Sequence, residues 1–174
     1  IATAKERRER GAVVQANIPG VFATLRDLMG EERACFAFYD EPELIQDIVD
    51  TLRDTATRVL QAVCDKVAID RLMVHEDFAG RGGPLVGPAV IEQYFQPHYR
   101  AAWELCEAAG ATLFGIDSDG NVEAVIPALQ ACGINELFPN EPAAGMDIVS
   151  VRERYGLPLK LRGGIDKFVV RNGT

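Results

Sequence analysis

The chain has 174 residues, 48% of them hydrophobic and 25% charged, which suits one globular domain with a sizeable core and excludes a disordered segment. Its net charge of −8 and pI near 4.8 argue against a nucleic-acid groove or an anionic membrane surface as partner. No apolar run approaches the roughly 18–20 residues that span a bilayer and no signal-peptide pattern is present, so a cytoplasmic protein is expected.

In chain order, the basic residues of Lys5–Arg10 alternate with acids and read as a solvated helix face. Ala12–Ala16 is a strand candidate, ending in Asn17-Ile18-Pro19-Gly20, and a helix should follow over Phe22–Met29. Cys35–Tyr39 fits either strand or helix. A long helix is expected from Pro42 to Lys66, with Pro42 in its first turn and Asp40 and Glu43 placed as in a capping box. Its apolar positions Leu44, Ile45, Ile48, Val49, Leu52, Val59, Leu60 and Val63 share one face. Leu72–His75 reads as a strand. Pro88–Ala109 reads as helical, with Pro97 as a break or a second start.

Beyond this point Gly110, Gly133 and Gly156 recur every 23 residues (133 − 110 and 156 − 133), each after an amphipathic stretch and before a short apolar run. A glycine just past a helix supplies the left-handed conformation that ends it. The runs Ala111–Ile116, Ile134–Phe138 and Leu157–Leu161 resemble buried parallel strands. One-way β-to-α alternation implies a parallel sheet, open or closed, and no Gly-rich dinucleotide fingerprint follows the first strand. The spacing favours a (β/α)8 barrel of the TIM type, present as about five βα units of a single domain over 1–174. A full barrel needs about 250 residues. The missing initial Met and the stop soon after a new unit begins suggest a chain cut at both ends.

Chemistry in such sheets sits beyond the carboxyl ends of the strands. Those positions hold Asn17; then His75, Glu76 and Asp77; then Asp117, Asp119 and Asn121; then Asn140 and Glu141; then Gly163, Gly164, Asp166 and Lys167. Four successive exits carry carboxylates. Converging carboxylates need a metal, a cationic ligand, raised pKa values or nearby cations, here Arg26, Arg81, Arg162 and Lys167. Asn121 and Asp147 also read as helix caps, and His98 as a packing or surface residue. The four cysteines show no CxxC spacing and are expected to be reduced thiols.

Five stretches carry a family resemblance: "NIPGVFATLRDLMGEE", "EDFAGRGGPLVGP" leading to "QPHYRAAWELCEAAGA", "GIDSDGN", "ACGINELFPNEPAAGMDIVSVRERYG" and "LRGGIDK". In this order they resemble the uroporphyrinogen decarboxylase superfamily, over nearly the whole chain. The resemblance implies a (β/α)8 barrel and one of two chemistries. One is cofactor-free decarboxylation of uroporphyrinogen acetate side chains. The other is methyl transfer involving a corrinoid, supplied by a partner protein, with zinc activating a thiol acceptor. The zinc enzymes carry His-x-Cys-Gly where this chain has Asp117-Ser118-Asp119-Gly120, which points to a harder divalent ion or to none. Decarboxylases usually carry Ser where this chain has Asp77, and Tyr near Arg26. An eight-carboxylate substrate would also be repelled by a mouth of Glu76, Asp77, Asp117, Asp119, Glu141 and Asp166.

The expectation is therefore a methyl-transfer (one-carbon) enzyme, corrinoid- or metal-linked, acting on a small molecule. Asp77, Asp117 and Glu76 are the catalytic candidates. Asn17, Arg26, Arg81, Glu141, Gly163, Gly164 and Asp166 would bind substrate, and Asp117, Asp119 and His75 a metal. Uroporphyrinogen decarboxylation and a non-catalytic binding barrel or inactive fragment are the alternatives, and a homodimer is compatible with either.

Overall fold

Five parallel strands, β1 (Gln15–Ile18), β2 (Arg71–His75), β5 (Leu113–Asp117), β6 (Glu136–Phe138) and β7 (Lys160–Leu161), lie side by side in chain order in a computed structural model that describes residues 2–173. The order never reverses, whereas a doubly wound sheet reverses at a switch point. The order is consistent with part of a barrel, and the sheet is open. Two short antiparallel strands, β3 (Ala79–Gly80) and β4 (Gly83–Pro84), form a separate hairpin after β2.

Nine helices complete the described chain: α1 (Ala2–Glu9), α2 (Val21–Met29), α3 (Glu31–Asp40), α4 (Pro42–Cys64), α5 (Pro88–Val90), α6 (Gln96–Ala108), α7 (Ile126–Ala131), α8 (Ile148–Tyr155) and α9 (Lys167–Asn172). Cys35–Tyr39 is helical, inside α3, because Ala34, Ala37 and Phe38 bury one face. Asp40 does not cap α4. It closes α3, and α4 starts after Glu41 without a side-chain cap. Between α5 and α6 the chain makes a wide π-turn over Ile91–Phe95, and Pro97 sits in the first turn of α6, so the 88–109 stretch is two helices joined by a bulge. β1 begins three residues later than expected and ends two later, and this carries Asn17 into the strand.

Register and pleat divide the sheet into two faces. Ala16, Leu72 and Phe114 form one cross-strand row, and Ile18, Val74, Ile116, Leu137 and Leu161 the next. This apolar face packs under the helices: Phe114 stacks on Trp103 and meets Tyr99 edge-on, both from α6. Burying one such aromatic removes 150–250 Å² from water, roughly 4–6 kcal/mol of hydrophobic stabilisation as an upper bound.

The opposite face is polar and forms three rows. Gln15, Arg71 and Leu113 lie at the bottom; Asn17, Met73, Gly115, Glu136 and Lys160 lie in the middle; His75, Asp117 and Phe138 lie at the top. Arg162 follows one residue beyond the Leu137–Leu161 pairing, and its N–H continues the ladder to the Leu137 carbonyl at 3.0 Å. Gly115 is required in the middle row. A Cβ there would meet the Met73 sulfur at 2.6 Å and Glu136 Oε2 at 2.7 Å.

Candidate functional site

The top row stands where β2, β5 and β6 end. Asp77 follows β2 with φ +50°, a left-handed conformation that short polar side chains tolerate at a cost of about 1–2 kcal/mol. Three contacts hold it there. The Asp119 N–H donates to its Oδ1 at 3.0 Å, His75 Nε2 lies 3.2 Å from its Oδ2, and Arg26 Nη1 donates to its carbonyl at 3.1 Å. Asn140 after β6 is also left-handed, and its Nδ2 donates to the carbonyls of Leu137 and Arg162. Two non-glycine residues in this region, both at strand exits, mark the rim as the strained part of the backbone.

Asp117 is half-buried, and burial holds its carboxyl above the ordinary carboxylate range. The neighbouring charges of Asp77 and Asp119 act in the same direction, while His75 and Arg162 oppose it. Such an acid keeps its proton to higher pH and can donate it. On the other side of Phe138, Lys167 Nζ lies 2.5 Å from Glu141 Oε1 and 3.9 Å from Asp119 Oδ2. Lys167 and the Gly120 N–H, which donates at 3.0 Å, hold the Glu141 carboxyl below its usual range. Asp119, Glu141 and Lys167 line a cavity of about 190 Å³ with Phe138, Pro139 and Ile165.

Other expected site residues have structural employment. Glu76 is completely buried and caps α2 from below, accepting from the N–H groups of Val21 at 2.7 Å and Ala23 at 3.0 Å and from the Tyr99 hydroxyl. With no exposed atom it cannot touch a ligand in the mouth, so its expected catalytic place is corrected to positioning. Burial pushes its carboxyl up to about 8, against the pull of those N–H groups at the helix N-terminus and of Arg26. Gly20 makes the approach possible, since a Cβ there would lie 2.7 Å from the Glu76 carboxyl. Gly163 and Gly164 face protein: a Cβ would meet the Pro139 carbonyl at 1.9 Å in the first and Ile148 at 2.9 Å in the second. Asp166 caps α9 through the Phe168 N–H at 2.7 Å. Arg81 is exposed in the turn between β3 and β4, and Asn17 on β1 accepts from Gln15 at 2.8 Å.

Asp147 caps α8, accepting from the Val149 N–H at 2.9 Å, whereas Asn121 accepts from the Glu123 N–H at 3.1 Å in a turn one residue ahead of the position that caps the next helical turn, Val122. His98 is buried with Nε2 2.9 Å from the Pro19 carbonyl, the packing role. Among the described residues no three His, Cys, Asp or Glu side chains gather to hold a metal. The cysteines are free thiols on or beside helices, away from the mouth, and burial pushes Cys106 and Cys132 up to about 12.

With this geometry in view, one solved structure matches: a methyltransferase from Methanosarcina mazei, with a TM-score of 0.64 over 91% of this chain. The likeness is one of fold. Identity is 15%, and the match covers 45% of the other protein, so this chain spans less than half of that methyltransferase's length. No protein-family model and no curated protein matches the chain.

Sequence reasoning missed the ionic cluster of the polar face. Arg71 Nη2 lies 2.6 Å from Glu136 Oε2, both side chains nearly buried, and Arg162 Nε approaches Glu136 Oε1 at 3.9 Å. The Arg162 guanidinium carbon lies 3.9 Å from the centroid of the Phe138 ring. One signal was present in the sequence: Glu136 interrupts the apolar run Ile134–Phe138, and a buried acid requires a cationic partner.

Proposed function

We propose that this chain is part of a (β/α)-barrel methyl-transfer enzyme of the uroporphyrinogen decarboxylase type, in which Asp117 protonates the group that leaves as the methyl is transferred. The observation that carries the reading is Asp117 itself: a half-buried carboxyl at a strand exit, beside His75 in the same cross-strand row, whose proton affinity is raised by burial and by Asp77 and Asp119 against the pull of His75 and Arg162. Asp77, fixed by the Asp119 N–H and by Arg26, positions that row. The fold of the Methanosarcina mazei methyltransferase supports the choice of methyl transfer over the other chemistry of the resembled family. A corrinoid would come from a partner protein and supply the methyl-carrying metal centre.

The resident metal of the zinc relatives does not fit the residues described. No thiol stands at the mouth, and Asp117, Asp119 and His75 are not grouped as a ligand set. In the reaction proposed here, proton transfer by a positioned carboxylic acid is worth about 10²–10⁴-fold. Asp117→Asn should therefore lower methyl transfer from a methylated small molecule to a corrinoid protein by about 10² or more, with little change in melting temperature. Turnover of Asp117→Asn at the parent rate would reject the reading.

A further inference from the structure

The cations around the mouth differ in what already neutralises them. Arg26 is bound to the Asp77 carbonyl and Lys167 is held by Glu141 at 2.5 Å. Arg162 is not engaged in this way. Its side chain is 44% exposed; its nearest carboxylate, Glu136, lies at 3.9 Å and is paired more closely with Arg71 on its other side, and Asp117 also feels its charge. Among the described residues its side chain makes no hydrogen bond.

Counting charges in the cluster Arg71–Glu136–Arg162 gives two guanidiniums against one carboxylate. Within this cluster Arg162 is the cation without a carboxylate of its own, and it stands at the edge of a partly buried layer, across Phe138 from Asp117, where charges are screened less than in water. The Phe138 ring lies 3.9 Å from the Arg162 guanidinium carbon, and this cation–π contact restricts the side chain and lowers the entropy lost when it forms a two-pronged contact.

We propose that Arg162 anchors a carboxylate group of the substrate, and that this substrate is a small monocarboxylate lying across Phe138 with its reacting end toward Asp117. This rests on Asp117 as the proton donor and names the substrate class of that site. A planar carboxylate matches the guanidinium fork, whereas a phosphate dianion would bring a second charge into a rim already carrying Asp119 and Glu141. Size follows from the sheet. Asp117 and Arg162 stand two strands apart with Phe138 between them, about 10 Å from backbone to backbone. Their side chains rise from the same face of the sheet, and the guanidinium already leans over Phe138, so a chain of a few carbons spans the remaining distance. One guanidinium offsets one carboxylate and not eight, so the acidic rim still disfavours a uroporphyrinogen.

The test titrates propionate into the full chain and follows the Arg162 Nε–H signal by NMR, with inorganic phosphate and methylammonium as comparison ligands. Propionate should shift that signal and saturate, and Arg162→Gln should weaken binding by roughly tenfold or more. Arg162→Lys should fall between, since it keeps the charge and loses the fork. The proposal is overturned if Arg162→Gln binds propionate like the parent, or if phosphate or methylammonium binds more tightly than propionate. Binding is read separately from turnover. Arg162-dependent propionate binding alongside unimpaired methyl transfer by Asp117→Asn would leave the anchor standing and remove the proton-donor reading; the converse pair of results would do the reverse.

Discussion

Single residues at the rim are held by chemistry that acts over one or two bonds of reach. Glu76 illustrates this. The sequence places it beside Asp77 at a strand exit, yet the chain turns there into the left-handed conformation of Asp77, so Glu76 enters the core while Asp77 stays at the mouth. The buried carboxyl also has a pH signature. Its ordinary value is 4.5 and its folded value about 8, so between those limits the folded state keeps a proton that the unfolded chain has released. Stability from this group is therefore full below 4.5 and is lost as pH rises toward 8. Glu76→Gln cannot titrate, and its amide replaces one acceptor that faces Val21 and Ala23. The variant should melt lower than the parent at pH 5, with the gap narrowing toward pH 8. Melting curves that stay parallel across that range would show that Glu76 does not titrate there.

Elements are set by which face they bury. The helix over Pro42–Cys64 and the short apolar strands were legible from periodicity, because each pattern reports the burial of one face. Boundaries at β1, at α4 and at the π-turn before Pro97 were not, since they depend on what packs against the ends. Phe114 links two of these elements. It lies on β5, fully buried, between Tyr99 and Trp103 of α6. Phe114→Ala should cost about 3–5 kcal/mol in denaturant unfolding, by lost transfer energy plus the cavity left behind. A loss under about 1 kcal/mol would mean that α6 collapses onto the sheet and that this contact is not a principal tie.

At the scale of the molecule, the sheet has two unpaired edges, β1 and β7, and a polar face with a buried middle and exposed margins. Near those edges Val13, Ile165, Phe168, Val169 and Val170 are exposed. Unpaired edges beside exposed apolar groups template association. Residues 1–174 expressed alone should therefore sediment as a concentration-dependent mixture and bind a hydrophobic dye. A sharp monomer with a cooperative melt would show that the open sheet is stable as it stands.

The sequence by itself determined the α/β alternation and the exits where polar groups gather, because periodicity and turn chemistry are local properties of the chain. It also carried Asp117 and Asp119 to the rim, since a strand end is a local event. Tertiary structure decided which exit residues share a row and which turn inward. Glu76, Gly163 and Gly164 became packing groups, and Arg71, Glu136 and Arg162 became one ionic cluster. Their roles depend on register between strands far apart in the chain, and a shift of one residue in register would have sent each of those side chains to the other face.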